Sequence, residues 1–133
     1  MKKFAKVMAV VLVAVMAVTL LVACGPANNI EDAIAALKGN GYATHKFVGN
    51  IGFSNVDSKL VATKGVVGSL LGSGEEYQTI TIYYFFTADA AKEAFEDIQQ
   101  LSELERGERE DWVCKRSGDV VYFGTKQAVK DAR

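Results

Sequence analysis

The hydrophobic positions of the chain begin without any period. From Val7 to Ala23 every residue except Thr19 is apolar and none is charged. Apolar residues then recur at helical spacing, at Ile30, Ala33, Ile34 and Leu37. Asn28 stands where an N-cap belongs, with Glu31 completing a capping box, and Gly39-Asn40-Gly41 supplies a C-terminal stop. This pattern predicts a helix over Asn29 to Lys38.

The next segments favour strands. Tyr42 to Phe53 is an interrupted strand, Ser54 to Ser58 has turn chemistry, and Lys59 to Val67 is a second strand. Gly65 to Gly74 is rich in glycine. A phosphate-cradling loop needs a Lys-Ser/Thr pair after its glycines, and here Glu75 and Glu76 follow. The segment is expected to be a hairpin connection whose valines and leucines tuck onto the core. Tyr77 to Phe86 has the β-branched and aromatic density of a central strand. Ile80, Ile82, Tyr84 and Phe86 share one face; Tyr83 and Phe85 lie on the other.

Helical spacing returns with Ala91, Ala94, Phe95, Ile98, Leu101 and Leu104, after Thr87 as N-cap. A helix is predicted from Ala88 to Leu104. Asp111 to Arg116 and Val120 to Gly124 form a hairpin around Ser117-Gly118-Asp119, and Thr125 caps a short helix through Ala132. The fold class is α+β: an antiparallel sheet of about five strands, with two or three helices packed mainly on one face.

The unpatterned N-terminus has a different purpose. Lys2, Lys3 and Lys6 precede the apolar run, which is slightly short for an untilted spanning helix. It closes on Leu21-Val22-Ala23-Cys24, followed by Gly25. These residues resemble the lipobox of bacterial lipoproteins, at which a dedicated signal peptidase cuts before a lipid-modified cysteine. The resemblance covers residues 1 to 25. It implies a signal peptide over 1–23, a diacylglyceryl thioether on Cys24, and a palmitate-bearing lipid anchor in the cell membrane or outer membrane, with the domain extracytoplasmic. An uncleaved transmembrane anchor is the competing reading. Residues 24–28 are then a short polar tether, and 29–133 a single domain.

Charge and cysteines narrow the picture further. Taking the leader's three lysines from the chain's 15 basic residues leaves 12 against 16 acidic ones, a net charge of −4. Such a domain is not expected to bind nucleic acid. With Cys24 acylated, Cys114 has no partner for a disulfide. No cofactor is implied, and no metal-ligand spacing occurs. The acidic stretch Glu103 to Asp111 has interspersed arginines and is expected to be a solvated helix end rather than a calcium loop.

Two chemistries remain. Cys114 with His45 as base would make a small thiol hydrolase, although a small buried Cys and a surface His are the commoner situation. The other is aromatic: Tyr83 and Phe85, joined by Trp112 or Tyr122, would form an exposed outer sheet face unless a helix or the Gly-rich loop covers it. The expected function is therefore a non-enzymatic binding module, taking a protein or small-molecule partner through that face or through Gly65–Gly74. A structural or accessory lipoprotein that self-assembles or joins an envelope complex is the alternative.

Overall fold

The structure is a computed structural model, and it describes residues 25–49, 52–65 and 77–133. The apolar leader with Cys24, and most of the Gly65–Gly74 segment, lie outside the described residues. The elements run α1 (Ile30–Gly39), β1 (Ala43–Val48), β2 (Val56–Lys64), β3 (Gln78–Phe85), α2 (Ala88–Arg106), β4 (Trp112–Ser117), β5 (Val120–Thr125) and α3 (Lys126–Asp131). The strands form one antiparallel sheet in the order β1-β2-β3-β5-β4. The five antiparallel strands and three helices of the described residues agree with the α+β class read from the sequence pattern.

Local chemistry sets the ends of the elements. Asn29, not Asn28, caps α1: its Oδ1 accepts from the Glu31 N–H at 2.8 Å. Thr87 and Thr125 cap α2 and α3 as expected, through Ala90 and Ala128 N–H groups. The first strand ends at Val48. Asn55 adopts a left-handed φ of 63°, which Asn tolerates better than most residues, so β2 begins at Val56 rather than Lys59.

β3 is the centre of the molecule and is covered on both sides. Ile80, Ile82 and Tyr84 pack with Leu60, Ala62 and Tyr122 beneath α1 and α3, including Ala33, Leu37 and Val129. Tyr83 and Phe85 pack with Val121 and Phe123 beneath Ala90, Ala91, Ala94 and Ile98 of α2. Of the described helices α1 and α3 share one face, and α2 covers the other.

That arrangement corrects the expected aromatic face. Tyr83, Phe85 and Tyr122 are all buried, and Trp112 is half-buried. Tyr122 lies on the side opposite Tyr83 and Phe85. The physical reason is the alanine surface of α2, whose short side chains let the helix descend onto large rings. Trp112 donates its Nε1–H to Ser102 Oγ at 2.8 Å, closing the far end of the same layer. The stripe of α2 rotates accordingly: Ser102 is buried, whereas Leu101 and Leu104 are exposed. Phe86 also lies in solvent.

Candidate functional site

The stretch expected as a free tether is packed onto the domain. Pro26 is buried. The Ala27 N–H donates to Ala132 O at 2.9 Å, and the Tyr84 hydroxyl donates to Ala27 O at 2.9 Å. A Cβ on Gly25 would stand 3.3 Å from Tyr122 Oη. Residues 25–29 thus form a strap across the α1/α3 side of the sheet, passing from Tyr122 on β5 over Tyr84 on β3 towards Ser58 on β2. Pro26 and Ala27 read as linker in the sequence because everything they touch is far away along the chain. The folded body includes Gly25, so its boundary lies earlier than Asn29.

The strap ends in a cleft of about 190 Å³. Its lining includes Asn28 and Asn29 of the strap, Asp57 and Ser58 of β2, Tyr84 of β3 and Asp119. Three local features set these groups. The register of β2 on β3 shifts between Val56 and Ser58, and this bulge leaves Asp57 out of the ladder. The β4–β5 turn brings Asp119 to the end of β3, where its carbonyl accepts from the Phe85 N–H at 2.8 Å. Gly118, with φ 61°, supplies the left-handed residue which that tight turn needs.

The electrostatics of the cleft are one-sided. The lining holds the carboxylates of Asp57 and Asp119 and no basic side chain. Burial raises the Tyr84 phenol above its ordinary value, and the nearby Asp32 carboxylate adds to the shift. Ser58 is 3% exposed, and its Oγ is one of two buried side-chain oxygens among the described residues without a hydrogen-bond partner. The sequence reading missed this site. Each member reads alone as a turn, bulge or cap residue, and the group is scattered between positions 28 and 119.

The Cys114–His45 pair does not form. His45, Val61, Thr81, Phe123 and Cys114 occupy one row across the sheet, with His45 on edge strand β1 and Cys114 on edge strand β4. Four strand spacings separate them, roughly 19 Å. Burial pushes the Cys114 thiol up, partly offset by a hydrogen bond with Ser102. In the acidic stretch at the end of α2, Arg106 pairs with Glu103 and Arg109 with Asp111. Among the described residues no group of three His, Cys, Asp or Glu is arranged to hold a metal, and no helix is long and apolar enough to cross a membrane. No protein-family model matches the chain, and no curated protein or solved structure matches it.

Proposed function

We propose that this chain is a lipid-anchored, extracytoplasmic binding module, held through a diacylglyceryl thioether on Cys24, which takes its ligand in the cleft at the root of the strap. The observation that carries the reading is the strap itself. Gly25 is packed against Tyr122 and stands one Cα step, about 3.8 Å, from Cys24. A lipid on that sulfur therefore leaves no slack, and the domain sits against the cell membrane or outer membrane. Two or three acyl chains give stable attachment where one is marginal. A non-enzymatic role is supported by the separation of Cys114 from His45 and by the raised thiol.

The accessory-lipoprotein alternative draws on a different feature. Among the described residues β1 pairs with β2 alone, and its Phe47 and Val48 are exposed, with Val48 at 73%. Such an edge can pair with another chain.

Metabolic labelling with an alkynyl palmitate analogue tests the anchor. The wild-type chain is expected to incorporate label and to begin at Cys24, whereas Cys24→Ser incorporates none and keeps its first 23 residues. A label-free wild-type chain retaining those residues overturns the reading.

A further inference from the structure

Resting on the reading that the chain is held at a bilayer through residue 24, we infer that the domain docks on that bilayer with one end of its sheet, where Phe86, Val48 and Phe47 enter the lipid. All three side chains are exposed, Phe86 at 65% and Phe47 at 46%. They come from separate parts of the chain and meet at the end of the sheet marked by the row Val48, Ser58, Tyr84, Val120 and Ser117. Hydrogen bonds tie their backbones together there. The Gly49 N–H donates to Asp57 O at 3.4 Å, and the Phe86 N–H to Asn55 O at 2.9 Å. Lys59 adds a cation, its Nζ 6.0 Å from the centroid of the Phe47 ring. Apolar rings beside a long basic side chain suit the zone where lipid tails meet headgroups.

What covers this end follows from where the strap leaves the domain. Asn29 and Phe85, the neighbour of Phe86, both line the cleft. At most about 18 Å of extended chain runs from Asn29 back to Cys24. α3 starts from Thr125 beside Thr79, at the opposite end, and meets the strap where Ala27 donates to Ala132 O. The strap therefore crosses the half of the sheet nearer Phe86, and a bilayer that holds residue 24 lies within reach of the three exposed side chains. Because the anchor keeps this end beside the lipid, three modest insertions are enough to fix the orientation. Asp57 and Asp119 are exposed at the same end, and a carboxylate does not leave water unpaired. The insertion is therefore shallow, confined to the interface, and driven by apolar burial rather than by charge. Leu101 and Leu104 are exposed as well, but they flank Ser102, which bonds Trp112 at the far end of the sheet. From Trp112 to Ser117, β4 rises roughly 17 Å. Docking thus turns the Trp112 end away from the membrane.

The test places the full chain on phosphatidylcholine vesicles with brominated acyl chains, which quench tryptophan where it enters lipid. Trp112 is the chain's one tryptophan and is expected to be quenched little. Phe86→Trp and Val48→Trp, each keeping Trp112, are expected to add emission quenched severalfold more strongly, and Leu104→Trp to add emission that is not. In the Phe86→Trp chain, a further Val48→Ser is expected to weaken docking severalfold, and molar sodium chloride to leave it unchanged. Equal quenching of Phe86→Trp and Leu104→Trp, whether high or low, overturns the inference, and so does quenching that salt abolishes. Pairing of β1 with another chain would not bring lipid to Phe86, so this position separates docking from edge pairing. Flotation of the same vesicles reads the anchor. A chain that floats with its Phe86→Trp unquenched keeps the anchor and loses the docking, and one that does not float loses both. An unacylated chain that floats on its leader is held at the same residue, and its quenching counts equally.

Discussion

Gly124→Ala is expected to cost at least ~3 kcal/mol, a large share of the roughly 5–15 kcal/mol that holds a domain folded. Gly124 pairs with Ile80 on β3 and with Val113 on β4, at the middle of the sheet. A Cβ there would lie 2.3 Å from Thr79 O and 2.7 Å from Ile80 Cα. Both are backbone atoms of the central strand, so no side-chain rotation relieves the overlap. Ordinary overpacking of a core costs about 1–3 kcal/mol, and separating β3 from β5 costs more because it also breaks ladder hydrogen bonds. Gly39→Ala is the matched control. Its Cβ would meet nothing within 4 Å at the end of α1, and it should gain about 0.4–1 kcal/mol through the unfolded state. Urea midpoints of the two variants should move in opposite directions. A Gly124→Ala chain as stable as wild type would mean that β5 is not in this register.

Raising the pH above 10 is expected to destabilise the domain steeply. Burial holds the Tyr42 and Tyr84 phenols above their ordinary value of 10.0, helped at Tyr42 by its hydrogen bond to Asp131 and at Tyr84 by Asp32. The sign follows from the direction of the shift. Below pH 10 both phenols are protonated in folded and unfolded chains, and their contribution is complete. Above it the unfolded chain loses these protons while the folded one keeps them, so stability falls until the folded values are passed. Each phenol contributes a slope that approaches about 1.4 kcal/mol per pH unit. Urea unfolding at stepped pH should show the combined slope in wild type and about half of it in Tyr84→Phe. A stability profile that stays flat from pH 10 to the alkaline limit would place both rings in water.

What the sequence made legible follows from how local each signal is. β3 is readable because its β-branched and aromatic residues mark a central strand wherever it is placed. The hairpin of β4 and β5 and the caps at Thr87 and Thr125 are readable because turn and cap chemistry act over three or four residues. The second covering layer is not readable from β3 alone. Tyr83 and Phe85 fit an open face as well as a covered one, and the distinguishing sign is three residues of α2, Ala90, Ala91 and Ala94, small enough to admit the rings beneath. The Cys114–His45 distance depends on strand order, which pairs β5 between β3 and β4 against chain order.

The strap and the cleft were hidden for the same reason. Pro26 and Ala27 have the composition of a linker, and they are ordered by Tyr84, Tyr122 and Ala132, which lie about sixty to a hundred residues onward. Asn29, Asp57 and Asp119 occupy a cap, a bulge and a turn, where their residue types are common anyway.

The anchored seating depends on the strap being part of the folded body. Amide hydrogen exchange at Ala27 in the full chain measures this directly. With its N–H bound to Ala132 O, Ala27 is expected to exchange orders of magnitude more slowly than an unstructured peptide amide. Tyr84→Phe, which removes the donor to Ala27 O, should raise that rate while leaving the β3 amides protected. Exchange of the wild-type Ala27 amide at the free-peptide rate would contradict the strap, and with it the slack-free seating of the domain.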